Sequence, residues 1–416
     1  MRVLHLADLH LGIETYGRRD PDTGLSTRLL DALRCLDTAV SHALADSVDL
    51  VVIAGDVFDR PHPDPISQRE FGLRIARLSR EGIPVVIVLG DHDLPSSLTA
   101  ADGLASLTSL DVAGVAVCRV PQVFVVETND GALEIAALPA AAASDLVSGS
   151  ERASLAREEV GQLATQRLTE RVASLDQARQ GSMPSLLLAH LSAEDGRAGS
   201  EVGMLVNRGH SIARETLAAT GFDYLALGHL HRYQDLALDG SGPPIIYAGS
   251  IDRLDFDDGS VVKGFVVADI GDGRTRYELL PTPARRFLTI RVAPRDEDPT
   301  SAALAAIGRK RLRDAIVRVV ISTAAGAAVD RSAIRAALAD ACFIGSVTVR
   351  TARSKAQTRA AARLLETTDP LDALNIYLRA RRTPPARARA LREAAAQLIS
   401  QADLGTPGAA AAPPDS

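Results

Sequence analysis

The chain has 416 residues, close to half of them apolar, and a formal net charge of −6 at pH 7. Such a length accommodates two or three domains, and the acidic balance excludes a molecule that holds nucleic acid by overall charge alone. Three isolated cysteines with no Cys-x-x-Cys pair exclude a zinc knuckle and a disulfide framework; no apolar run reaches the roughly 18 residues of a membrane span. The chain opens directly in a strand-like run without a leader pattern, so a cytoplasmic protein with no membrane association is expected.

Taken in chain order, Arg2 to Ala7 is a short apolar run ending at Asp8-Leu9-His10. A helical pattern follows over Leu25 to Ala45. Asp49 to Ala54 then leads to Gly55-Asp56-Val57-Phe58-Asp59, and a second helical pattern covers Ile66 to Glu81. Pro84 to Leu89 leads to Gly90-Asp91-His92-Asp93. The stretch from Ala140 to Gln180 is polar, alanine-rich and expected to be helical. Leu186 to Ala189 ends at His190, and Tyr224 to Leu227 ends at Gly228-His229-Leu230-His231. Ile245 to Ser250 and Gly264 to Asp269 read as closing strands. Short, continuous apolar runs of this kind are buried strands, so each polar segment emerges where a strand ends. Gly55, Gly90 and Gly228 permit the sharp exits.

A second unit is expected from Phe287. Its strands fall at Phe287–Val292, Ala315–Ser322 and Ser346–Arg350, and its helices at Ser301–Lys310 and Arg331–Ala339. A third unit, from Ser354 to Gln401, reads as helical. Pro370 opens one helix, with Leu371, Leu374 and Leu378 as its apolar stripe. The resulting division is 1–282, 283–352, 353–403, and a disordered Gly/Pro/Ala tail over 404–416.

Five polar segments at strand ends suit a site for two divalent cations. Two such ions about 3.5–4 Å apart activate water and stabilise both the entering and leaving oxygens of a phosphodiester. One carboxylate must lie between them, and Asp56, in a tight Gly-Asp turn, suits that place. Asp8, His10 and one of His229 and His231 would complete one set; Asp91, His190 and the other histidine would complete the second. His92 directly follows a ligand, which favours it as a general acid for the leaving oxygen. Asp59 and Asp93 are placed to orient neighbouring groups, and Asp93 is grouped with His92 as catalytic. Singly, each segment is as compatible with turn residues at a strand end; five in order are not.

The remaining histidines read differently. His5 lies inside the first strand and is expected to be a hydrogen-bonded core residue. His42 falls on the polar side of a helix and is expected to be solvated, and His210 is expected to be structural near a helix start. His62 is open between a substrate contact and a plain loop residue; Tyr16 is a second candidate substrate contact.

The motif order D-x-H, G-D-x-x-D, G-D-H-D, H and G-H-x-H resembles the calcineurin-like metallophosphoesterases, and within them the SbcD-type nuclease subunits that work with an SbcC-like coiled-coil ATPase. The opening segment Met1 to Gly12, Phe222 to His229, Tyr247 to Ser250 and Arg285 to Ile290 carry the closer likeness. The resemblance implies an α/β fold built as a β-sandwich flanked by helices, with a small α/β capping domain and C-terminal helices. It implies that Asp8, His10, Asp56 and His231 hold one ion, and that Asp56, Asp91, His190 and His229 hold the other. The ions would be Mn2+, with Mg2+ or another divalent cation open, and His92 would be the acid. It further implies a DNA substrate cut as a 3′→5′ exonuclease, endonuclease action being open, and a homodimer formed through the catalytic domain. One position departs from the pattern. The family has asparagine where this chain has Asp91, and the added charge is expected to shift metal preference or slow turnover.

The basic stretch 350–393, with eleven Arg/Lys against four Asp/Glu, has two readings. It could touch DNA phosphates, or it could be the solvated face around an apolar partner stripe. Leu371, Leu374, Tyr377 and Leu378 favour partner docking. Two other functions stand beside the nuclease: a small-molecule phosphodiesterase or phosphoprotein phosphatase on the same site, and a non-catalytic metal-binding scaffold.

Overall fold

The computed structural model describes residues 1–95, 101–197, 210–237, 242–271, 275–294, 298–324, 327–351, 370–380 and 383–404. Residues 405–416 of the expected tail, and 353–369 and 381–382 of the expected C-terminal helical unit, lie outside these residues.

Fifteen strands are present among the described residues. In the first part of the chain they are β1 (Arg2–Leu6), β2 (Leu50–Ala54), β3 (Val85–Val88), β4 (Val115–Cys118), β5 (Gln122–Thr128) and β6 (Gly131–Leu138). Next come β7 (Ser185–His190), β8 (Tyr224–Gly228), β9 (Gln234–Asp235), β10 (Ile245–Tyr247), β11 (Gly264–Asp269) and β12 (Arg276–Pro281). The last three are β13 (Arg286–Val292), β14 (Ala315–Thr323) and β15 (Phe343–Thr351).

Two six-stranded sheets form, in the orders β12-β11-β1-β2-β3-β4 and β5-β6-β7-β8-β10-β9. In each, four strands run parallel and the remainder pair antiparallel. The sheets pack face to face. Val3, Val52, Val86 and Val88 from the first meet Leu133, Ile135, Leu188, Tyr224 and Ile246 from the second. Because both faces of the central strands are covered, these strands are continuously apolar rather than alternating.

The outer face of the first sheet is covered by α1 (Thr27–Ala45) and α2 (Pro65–Arg80). Leu29, Leu33, Leu36 and Val40 of α1 recur at helical spacing and are buried, each stabilising by about 1.5–3 kcal/mol. The helix starts follow from their caps. Ser26 accepts from Arg28 N, and Asp64 accepts from Ile66 N and Ser67 N with Pro65 at the first turn. The second sheet is covered by helices at 143–146 and 157–177, and with the exposed helix at 149–154 they occupy the stretch expected to be helical. The result is four layers, helix–sheet–sheet–helix.

All five ligand-bearing segments leave the same end of this sandwich, three from β1, β2 and β3 and two from β7 and β8. Parallel pairing brings them together, since strands running one way end on one side. A third, all-parallel sheet, β13-β14-β15, carries its own core with helices 299–308 and 331–337. It meets the sandwich through Tyr16, Phe256 and Phe287, whose rings pack edge to face with centroids 5.0–5.7 Å apart. Arg285, just before β13, grips Asp31 of α1 with two guanidinium nitrogens. Helices cover 370–380 and 385–404. No helix among the described residues is long and apolar enough to cross a membrane.

His5 is fully buried between the two sheets, its Nδ1 3.1 Å from the Tyr224 hydroxyl, as expected of a core histidine. His42 is less solvated than expected. Its ring packs on Phe265, and Nδ1 lies 2.8 Å from Asp46 Oδ2, because α1 lies close enough to β11 to cover one side of the ring.

Candidate metal centre

Three of the polar segments contain backbone that side chains rarely adopt. Asp8, His10, Asp56 and His229 all have positive φ, between 44° and 99°. Each such residue costs on the order of 1–3 kcal/mol, and strain of this kind persists where it aims functional groups. Close approach of backbone and side chains, between the sheets at Gly228 and between neighbouring loops of the first sheet at Gly90, explains these glycines better than φ does. A Cβ on Gly228 would lie 1.8 Å from Ala54 O, and one on Gly90 would lie 2.1 Å from Asp56 Oδ1. Gly55 combines both demands, with φ +83° and His190 Nδ1 2.4 Å from a Cβ placed there.

Ligand-type atoms of Asp8, His10, Asp56 and His231 lie within 4.8 Å of one another, and so do those of Asp91, His190 and His229. Asp56, Asp91 and His92 form a further such group, so Asp56 and Asp91 lie toward each other across the site. Asp56 Oδ2 is 3.6 Å from His10 Nε2 and 3.6 Å from His190 Nε2, midway between the two histidine sets. His10 Nε2 faces His231 Nε2 at 3.0 Å. Burial lowers the His10 imidazole to about 3 and holds His231 well below its ordinary range, so both rings are neutral and can present lone pairs. Burial alone would raise the Asp56 carboxyl, but the imidazoles around it, His190 foremost, and the His92 amide that donates to it hold it below its usual value.

His190 shows most clearly what the site is built for. Its Nδ1 is 2.8 Å from the Ala54 carbonyl, which can only accept, so that nitrogen carries the proton. In the singly protonated ring Nε2 then points a lone pair at Asp91 Oδ1, 2.8 Å away, while His229 Nδ1 approaches the same oxygen at 2.9 Å. A ring nitrogen and a carboxylate oxygen facing each other as acceptors are reconciled by positive charge shared between them. A divalent cation bound there would supply it, and an imidazole oriented by a backbone carbonyl is the usual support of a metal ligand. Three carboxylates with four imidazoles fit divalent ions.

Residues 1–233 match the family model described as calcineurin-like phosphoesterase. The chain belongs to the calcineurin-like phosphoesterases. It is 30% identical over 298 residues to the DNA double-strand break repair protein Mre11 of Aeropyrum pernix, covering 70% of this chain and 63% of that protein. It is 27% identical over 292 residues to the SbcD component of the SbcCD nuclease of Bacillus subtilis, covering 67% of this chain and 69% of that one. With the SbcD component of the Rhodobacter capsulatus nuclease it shares 27% identity over 328 residues, 76% and 77% of the two chains. The chain thus spans less than two thirds of the archaeal relative's length.

The phosphoesterase site contains more than the ligand candidates. His92 Nδ1 donates to the Asp59 carbonyl at 2.9 Å, so that nitrogen carries a proton, and its ring packs edge-on against His10 with centroids 4.7 Å apart. The His92 amide also donates to Asp56 Oδ1 at 2.8 Å. Asp59 lies at the rim, 3.8 Å from His10 Nδ1, and burial raises its carboxyl. Asp93 turns both carboxylate oxygens to backbone amides. It accepts from the amides of Val57, Phe58 and Gly90 at 3.0–3.1 Å, tying the second loop to the third. Burial and the nearby Asp56 push its carboxyl up to about 7 in spite of those amides.

Tyr16 lies in the aromatic seam with Phe256 and Phe287 rather than among the ligand atoms, and His62 is an exposed loop residue. His210, expected to be structural, lines a cavity of about 530 Å³ beside Asp91, His190 and His229. Lys263 escapes a reading of the sequence. Its Nζ donates to the His231 carbonyl and to Ser250 Oγ, both at 2.7 Å, and pairs with Asp258 at 3.1 Å. A lone lysine just before an apolar strand carries no signal of such a place.

Proposed function

We propose that the chain is a metal-dependent DNA nuclease of double-strand-break repair or DNA-end processing, cutting as a 3′→5′ exonuclease and open to endonuclease action. In this reading Asp8, His10, Asp56 and His231 hold one divalent ion, and Asp56, Asp91, His190 and His229 hold a second, Mn2+ being the favoured metal. When bound, the ions supply the Lewis acidity that activates water and stabilises charge on the phosphodiester. Asp56 sets the spacing of the two ligand sets. His92 protonates the departing nucleotide oxygen from Nε2, the Asp59 carbonyl holding the other side of its ring. The family membership, the relatives named as repair nucleases, and the facing of His190 and Asp91 support this reading; the last carries the metal assignment.

The wider assembly follows the same reading. Residues 1–282 form the nuclease domain, 283–352 cap the site and narrow access to DNA, and 353–403 dock on a coiled-coil SbcC-like ATPase. A homodimer in the cytoplasm completes the proposal. End-labelled duplex DNA incubated with Mn2+ tests the activity. The wild type should release nucleotides from the 3′ end, and His92→Ala should lose about 10²–10⁴-fold in rate while keeping its metal. Hydrolysis of cyclic nucleotides without cleavage of DNA would instead make the chain a small-molecule phosphodiesterase.

A further inference from the structure

A buried lysine is costly unless its charge is matched and its protons are taken up. Lys263 is 2% exposed and lies immediately before β11, outside every ligand-bearing segment. Asp258, with no exposed surface, supplies the counter-charge at 3.1 Å. Two of its protons go to the His231 carbonyl and Ser250 Oγ. The same carbonyl accepts the Ser250 amide at 3.1 Å. His231 is thereby held through its backbone by the approach to β11 and by the loop after β10, while its ring nitrogen meets His10 at 3.0 Å. The Gly228–His231 turn leaves β8 with a strained His229 at φ 99°, so it needs an external restraint to keep one conformation.

We infer that Lys263 is a positioning residue for the first ligand set. Its ammonium, neutralised by Asp258, clamps the His231 carbonyl and so fixes where the His231 ring presents its lone pair beside Asp8, His10 and Asp56. The second set is oriented separately, since His190 takes its direction from the Ala54 carbonyl. The inference rests on the reading of the cluster as a two-ion site.

Lys263→Met combined with Asp258→Asn removes the buried charges together, while Asn can still accept the Leu254 amide that Asp258 Oδ2 holds at 3.1 Å. Removing both charges of a buried pair is far milder than removing one. Calorimetric titration of the metal-stripped full chain with Mn2+ is the readout. The wild type should bind two ions, and the double variant should bind one of them about tenfold or more weakly with the other unchanged. If that double variant does not fold, Lys263→Gln combined with Asp258→Asn, which keeps a donor toward the His231 carbonyl without either buried charge, reads whether the first ligand set is still selectively weakened. Two steps at wild-type affinity, or two steps weakened alike, overturn the positioning role. A wild type that takes up no ion overturns the two-ion reading itself.

Discussion

His5 offers a clean test of how the sandwich is held together. Burial between the sheets depresses its imidazole from the ordinary 6.5 to about 3, a backbone interaction with Leu227 only partly opposing this. In the folded chain it is therefore neutral throughout the mildly acidic range, while in the unfolded chain it takes a proton below pH 6.5. The unfolded state binds more protons there, so the group lowers stability as pH falls from 6.5 towards 3. Each pH unit in that window costs about 1.4 kcal/mol, which makes about 2 kcal/mol at pH 5 and almost nothing at pH 7.5. His5→Asn places an amide near the Nδ1 position, so the bond to Tyr224 can form, and it cannot titrate. At pH 7.5 the variant should be less stable than the wild type, by about 1–3 kcal/mol for the altered packing and hydrogen bonding. Urea denaturation of both proteins at pH 7.5 and pH 5 measures the gap. The difference should move in the variant's favour by about 2 kcal/mol on acidification. Stability curves that run parallel between the two pH values would refute the assignment of a neutral, desolvated His5.

Two further outcomes follow from the site. Asp91→Asn keeps an oxygen toward His190 and His229 but removes one negative charge. We expect a changed rank order of Mn2+ and Mg2+ or faster turnover in nuclease assays, and an unaltered metal profile and rate would sink that idea. Gly228→Ala would put a Cβ 1.8 Å from Ala54 O and 3.1 Å from His190 Nδ1. Because the nearest atom is backbone, the sheets must part. We expect a loss of about 3 kcal/mol or more with loss of bound metal, whereas a variant that melts like the wild type and retains both ions would show that the approach is softer than the geometry implies.

The ligand candidates were legible because each interrupts an apolar run. Asp8, Asp56 and His190 are conspicuous after aliphatic strands, and their order along the chain matches the order of parallel strands. The edge strands were not legible. In β5 the exposed and half-buried residues alternate without a strongly apolar face, and β12 is similarly half-exposed. Asp93 reads in sequence like another acid of the motif, yet its oxygens are turned to backbone amides of residues more than thirty positions earlier as well as to its own turn. Tyr16 stands near the first motif in sequence but is drawn to Phe256 and Phe287, which only folding brings within reach.

By itself the sequence determined the local matters: which runs are strands, which residue types stand at their ends, and that two sets of nitrogen and oxygen ligands could share Asp56. Periodicity and composition act over neighbours, so they suffice for that. Only the tertiary structure decided which groups meet across the sandwich. His5 meets Tyr224 across 219 residues, and Lys263 reaches the carbonyl of His231 across 32. Those pairings depend on two sheets packing face to face, and no local pattern records them. The five strand-end segments supply the chemistry; the stacking of the sheets, with glycines where side chains would collide, sets the distances at which that chemistry can operate.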